Sequence, residues 1–409
     1  MMMQKNVSEK GQVLILIMLA AVVLFAFAGL AIDGSAVFSD KRNAQNAADT
    51  SAMAAALAKL RGQSYSSAAF NRATSNGYNN NGTTNIVSVY NPPIDGKYAG
   101  NGEYIQVKIT SHVKTYFARV IGRNQVTNRV EAVTHAVPGY ISSLYAGSAV
   151  VGLDPSGCKA VFFNGNANMT LTGGGIYVNS TCDPNAFANQ SGSPGILTTP
   201  CLQTVGLAQY TYGKVINTQA GCPKAGVPPI AAPPLPKITC GTLQAKIQPD
   251  NITLSPGNWV GAFPPNGITY LQPGTYCVSG GNFQINGGST LIGHGVTIYM
   301  IDGFVKWNGG ANVQLDAPTS GEFAGLLLYL PPTNTNPVVV NGNGDSHVVG
   351  TIYAPASEVS VEGGGGATGL ECQIIGYHVS LSGSSETKIS FNPNQNYQPP
   401  IPPAIEFTQ

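Results

Sequence analysis

The sequence predicts a membrane-anchored α+β module, with a long N-terminal helix and a small antiparallel sheet, followed by an all-β domain wound as a parallel β-helix or solenoid. Three observations carry this. Val13 to Ile32 is a run of 20 residues with no charge and no proline. Residues 33–63 are rich in Ala with Leu, Met, Lys and Gln, and lack proline, which suits a helix that continues. From about residue 148, short alternating apolar runs are punctuated by Gly and Asn, which tolerate the positive φ of sharp corners.

Composition sets the first limits. Of 409 residues, 43% are hydrophobic and 10% charged, enough apolar matter for folded cores with many turns. The net charge of +1 hides an asymmetry: residues 1–129 hold 13 Lys/Arg against 6 Asp/Glu, and residues 130–409 hold 7 Lys against 13 Asp/Glu. No Arg follows Arg129. A mildly acidic distal region without basic clusters is unsuited to neutralising phosphates, so no nucleic-acid partner is expected.

The apolar run comes first. At 1.5 Å per residue it spans about 30 Å, the hydrocarbon thickness of a bilayer, which makes lipid the expected partner of residues 13–32. It exceeds the roughly 7–15 apolar residues of a secretory signal core and leads into helix, so it reads as an uncleaved signal anchor. Residues 1–12, with Lys5 and Lys10, are expected in the cytoplasm. Seven cysteines and a long polar β-rich region place the bulk of the chain outside it, as a single-pass protein of the cell membrane.

A helix from about Gln12 to Leu60 would be roughly 70 Å long, with Gly34 its one weak position. Ala44, Ala47, Ala48, Ser51, Ala52, Ala55 and Ala56 recur near i, i+3, i+4 and form a flat face. That face packs on the chain's own sheet, the preferred reading, or on neighbouring subunits.

Lys10-Gly11-Gln12, the run ending Ala28-Gly29-Leu30-Ala31-Ile32-Asp33-Gly34, then Gln45-Asn46-Ala47-Ala48-Asp49 and Ala54-Ala55-Ala56 stand in order over about 50 residues. Together they closely resemble the N-terminal segment of Tad (tight adherence) pilus-assembly proteins of the TadE/TadG type. The resemblance implies a bacterial envelope protein linked to Flp/Tad-type pilus machinery, with pilus or envelope proteins as partners through the Ala-rich helix. One departure stands out. Minor pilins that are processed carry Glu five residues beyond a Gly cleavage point; counted from Gly11 that position is Leu16.

Residues 33–138 form the expected stalk. Ser66–Asn76 reads as a short helix closed by Gly77; Thr84–Tyr90, Glu103–His112 and Val126–Val137 alternate as half-buried strands; 114–122 reads as a brief helical turn. The distal domain, 148–392, repeats a loose cadence, as in Gly165–Leu171 against Gly310–Leu315 and Gly175-Ile176-Tyr177 against Gly350-Thr351-Ile352-Tyr353. Such repeats suggest stacked rungs; a β-sandwich is the alternative. A polar, Pro-rich insertion interrupts them at about 185–248, and 393–409 is a Pro-rich tail expected to be extended or disordered.

No catalytic, cofactor-binding or metal residue stands out, and no cofactor is implied. Asp250, Asp302, Asp316, Asp345, Glu358, Glu362, Glu371 and Glu386 share no motif and read as turn residues. His112, His135, His294, His347 and His378 form no HxH or HExxH pattern. Asn341–Asp345 lacks the later Glu of a calcium loop, and Gly363–Gly366 lacks the Lys of a phosphate loop. The cysteines allow three disulfides with one thiol left over, Cys158–Cys182 and Cys201–Cys222 being the sequence-local pairs. A non-enzymatic surface protein, presenting its β-domain for adhesion or envelope assembly, is the expected function. The alternative is a tethered β-helical protein that binds or cleaves carbohydrate, with Trp259 and Trp307 as the tryptophans available for stacking on sugars.

Overall fold

The computed structural model describes residues 10–164, 168–190, 195–210, 214–342, 346–363, 369–383 and 387–408. They form two units, one built from the residues up to Tyr140 and from Pro402 onward, the other from Ile141–Ile401.

In the first unit, helix α1 runs Lys10–Leu60 and passes Gly34 unbroken. Helix α2, Tyr65–Ser75, begins at Ser64, whose hydroxyl accepts a hydrogen bond from the Ser67 amide at 3.3 Å. Strands β1 (Asn85–Tyr90), β2 (Tyr104–Lys114) and β3 (Gln125–Val137) form an antiparallel sheet in that order. Ala44, Ala47, Ala48, Ala52, Ala55 and Ala56 are fully buried against Ile105, Val107 and Ile109 of β2 and Val130 and Ala132 of β3. Small side chains let the helix lie close to the sheet, and two polar contacts fix its register. Thr134 Oγ1 donates to the Ala52 carbonyl at 3.0 Å, and Gln45 Nε2 to the Glu131 carbonyl at 2.9 Å. The alanine face is thus covered by the chain's own sheet.

The last residues are not a loose tail. Ala404–Thr408 pairs antiparallel with β3, Ala404 opposite Val137 and Thr408 opposite Val133, so the C-terminus completes the sheet as a fourth strand. Ile405, half-buried, packs against the alanine core and seats the strand at the sheet edge. The whole second unit is therefore an insertion between the third and fourth strands of the first.

The second unit is a parallel solenoid of about ten turns, each contributing up to three short strands. The winding order differs from simple succession. One outward column reads, rung by rung, Lys224, Gln203, Tyr177, Val151, Ile375, Tyr353, Tyr329, Tyr299, Cys277, Asn258, with each pair of neighbours in parallel register. The chain enters mid-stack at Val150–Gly152, winds to one end at Lys224–Ala225, and crosses to the far end. From there it winds back until Gly369–Gly383 pairs with Val150–Gly152 and Val161–Phe163. Both halves advance along the axis in the same direction, so every lateral pairing stays parallel.

The core follows from period-two alternation. Ile176, Val150, Ile374, Ile352, Leu328 and Ile298 are successive inward neighbours, all at 0% exposure. A second column holds Phe283, Val305, Val338 and Val359, likewise fully buried.

The Pro-rich stretch is narrower than the 185–248 expected from sequence. Phe187–Asn189, Ile196–Thr199, Leu202–Thr204 and Lys214–Asn217 are solenoid strands; Asn189, Thr199 and Thr204 take buried positions beside apolar ones, which weakened the apolar signal. What remains irregular, roughly 226–243, is the crossing strap. Eighteen residues of extended, Pro-rich chain reach about 56 Å, and nine rung spacings need about 43 Å, so the strap can run the length of the stack. Val227, Ile230 and Ile238 of the strap pack over the tyrosine column, and the Ile230 amide donates to Tyr177 Oη at 2.8 Å. Disulfides Cys201–Cys222 and Cys240–Cys277 pin its two ends, Cys158–Cys182 ties neighbouring turns, and Cys372 is a buried free thiol.

Candidate functional site

The first feature of functional weight is the surface of α1. Leu14, Leu16, Leu24 (68%) and Phe25 (76%) are exposed, as are most side chains of the 13–32 run. A bare apolar helix surface of this length is stable only in an apolar surrounding, and the helix is long and apolar enough to cross a bilayer.

Where that run ends, a built polar contact begins. The Asp33 carboxylate accepts three backbone amides: Tyr116 at 2.9 Å, Phe117 at 2.9 Å and Ala118 at 2.7 Å. These open the single 3-10 turn Ala118–Ile121 in the β2–β3 connection. One turn earlier, Gly29 is seated against the Phe117 ring: a Cβ at Gly29 would lie 2.6 Å from Phe117 ring carbons. The Ala28–Gly34 motif thus has a physical role. Gly29 leaves room for the ring, and Asp33 satisfies amides that the turn would otherwise leave unpaired.

Those amide donors, Ala118 first and then Tyr116, hold the Asp33 carboxyl below the usual carboxylate range. A depressed acid contributes stability that is complete above its unfolded-state value and lost as pH falls through its folded-state value. We therefore expect protection of the 116–118 amides, their exchange rate taken relative to the intrinsic rate at each pH, to be high at neutral pH and to fall selectively on acidification below the ordinary aspartate range. Asp33→Ala should show low protection at all pH values, which hydrogen–deuterium exchange by mass spectrometry reads.

The residues weighed for catalysis are dispersed. His378 Nε2 pairs with Asp154 Oδ2 at 2.7 Å, His294 with Asp316, and His135 lies 3.3 Å from both Glu103 and Glu406, bracing the C-terminal strand. Asp250 accepts from the amides of Ile252 and Thr253, Asp302 from Gly280, and Asp316 from Gly295; these are turn and inter-rung caps. Among the described residues no group of three or more His, Cys, Asp or Glu could hold a metal. Trp307 is interior, 1% exposed, and the Trp259 indole donates to the Ala262 carbonyl, so the tryptophans form no sugar-stacking pair. Asn343–Asp345 of the calcium-like turn, Gly364–Gly366, Gly165–Ala167 and Glu386 lie outside the described residues.

A groove of the first unit, about 580 Å³, lies over Asp95, Gln106 and Glu131. Lys108, then Gln106, hold the Asp95 carboxyl below its usual range. The groove floor is an intramolecular ion-pair seam. Spacing alone could not reveal the Gly29–Asp33 contact, because its partners lie more than eighty residues away.

Comparison with known proteins agrees with this division. Residues 269–393, the returning half of the solenoid, match a domain family of unknown function (DUF7305). Neither the curated proteins nor the solved structures contain a match. Residues 11–58, the bare span together with the alanine face, match the Tad family model of Flp pilus-assembly TadE/G-like proteins, and the chain carries a TadE/G-like domain as its anchor helix.

Proposed function

We propose that this chain is a single-pass, membrane-anchored bacterial surface protein of the Tad/Flp pilus apparatus, with a cytoplasmic N-terminus, and that it presents its solenoid outside the cytoplasm for adhesion or envelope assembly. The observation that carries the reading is the TadE/G-like segment itself. Its first half is a bare apolar helix and its second half the buried seat of a small sheet, as an anchor-plus-stalk requires. Three disulfides support the orientation, because such bonds persist in an oxidising envelope and not in a reducing cytosol. We read the role as structural and non-enzymatic; in support, among the described residues Asp250, Asp302 and Asp316 cap turns and rungs, and His135 braces the C-terminal strand.

Deleting the gene tests this. Cells without the chain should lose Flp pili by electron microscopy, with rescue by the full chain and none by a chain lacking residues 11–58. Wild-type pilus numbers in the deletion strain would remove the chain from pilus assembly.

A further inference from the structure

The turn that Asp33 holds is itself unusual on its outer side. Val120 is 88% exposed, Ile121 and Tyr116 are each 77%, and Phe117 is 49%. Val120, Ile121 and Tyr116 are at least as exposed as the bare span residues Leu24 and Phe25. The turn is nonetheless well formed. The Arg123 amide donates to the Ala118 carbonyl at 3.0 Å, the Thr115 amide to the Asn124 carbonyl at 3.2 Å, and Gly122 takes the left-handed conformation, φ 82°, that closes it. A compact turn that holds four large apolar side chains in water carries a standing cost, which an apolar partner removes.

We propose that the 114–123 turn is a second membrane contact, seated in the lipid interface of the leaflet on the side of the folded units. The proposal rests on the reading of residues 13–32 as a bilayer span, and continuity with that span is its main argument. Phe117 lies against Gly29, three residues or about 4.5 Å inside the end of the run, and the amides of 116–118 lie against Asp33, the first residue beyond it. With the helix in the membrane, the Phe117 ring is at the edge of the hydrocarbon and the turn at headgroup level. The side chains suit that level: Tyr116 and Phe117 belong in an aromatic belt, and Val120 and Ile121 in the upper acyl region. Charge complements it. Lys114, Arg119 and Arg123 are exposed around the turn and no acid occurs from 113 to 124, which fits anionic headgroups. Two contacts, a helix and a turn bonded to it, fix the tilt of the stalk sheet on the membrane where a single helix would leave it free to rock.

The test uses the full chain in vesicles of phosphatidylcholine and phosphatidylglycerol, with an environment-sensitive fluorophore on one introduced cysteine. Cys372 is buried and the other six cysteines are bonded, so labelling is selective. Val120→Cys reports the turn, Val23→Cys the span, and Arg61→Cys the exposed residue just past the far end of the same helix, about 42 Å beyond Asp33. Nitroxide lipids, labelled near the headgroup or near the chain end, act as quenchers. The expected result is several-fold more quenching at Val120 than at Arg61, strongest with the shallow nitroxide, while Val23 responds most to the deep one. Quenching at Val120 no greater than at Arg61, with Val23 still quenched, overturns the turn contact and leaves the span intact. An unquenched Val23 overturns the span reading and the turn contact together.

Discussion

Cys240→Ser will destabilise the solenoid by about 4 kcal/mol, the loop-closure value for a bond that spans 37 residues. For a unit of this size that is a fall of about 10 °C in melting temperature. The magnitude follows from what the bond closes. The strap is the one covalent link between the two halves of the stack, and its far end is held at Cys277 in the outward column. Without that bond, Val227, Ile230 and Ile238 can lift from Tyr177, Tyr329 and Tyr353, and the strap becomes cleavable. Limited proteolysis should cut the variant between 226 and 240 and leave the parent chain whole. An unchanged melting curve would mean that the strap does not hold the stack closed.

Ile374→Asp should be more damaging, with a loss above about 4 kcal/mol, because it leaves a carboxylate buried and unpaired in the core. Ile374 is fully buried, between Ile352 on one side and Val150 on the other. The second of those contacts is the seam where the last turns meet the first. The chain crosses that seam at Thr387–Ser390, which pairs with Gly369-Leu370 on one side and Met169–Thr172 on the other; the rest of the seam is held by lateral hydrogen bonds and the inward column. In a stack where each turn rests on its neighbours, a broken seam uncovers two turns at once. Thermal unfolding of the detergent-solubilised chain should therefore shift far more for Ile374→Asp than for Lys306→Asp, an exposed outward position expected to stay within about 0.5 kcal/mol.

Much of this architecture is legible in the residues, and what is not has physical reasons. The span, the helix to Leu60, the three strands of the stalk and the burial of the alanine face follow from local periodicity, which the sequence carries directly. Cys158–Cys182 and Cys201–Cys222 join neighbouring turns, so sequence proximity finds them; Cys240–Cys277 joins the strap to a column and needs the winding order first. That order leaves no local trace. Parallel rungs obey the same alternation whichever rung lies beside them, so Ile374 reads alike whether its neighbour is Val150 or a residue further along. The C-terminal strand was hidden behind Pro402 and Pro403, and only the free edge of β3 explains why Ala404–Thr408 orders. The partners of Gly29 and Asp33 were equally out of reach. A glycine and an acid at the end of an apolar run say that something is accommodated there, but not which turn.

Counting oxidised cysteines in the living cell tests the central claim, a chain anchored by one helix with all later residues outside the cytoplasm. Cells are quenched in acid, and the denatured chain is treated with a maleimide mass tag before and after reduction. The account predicts one tag without reductant, at Cys372, and seven after it. Seven tags without reductant would place the solenoid in a reducing compartment and contradict it.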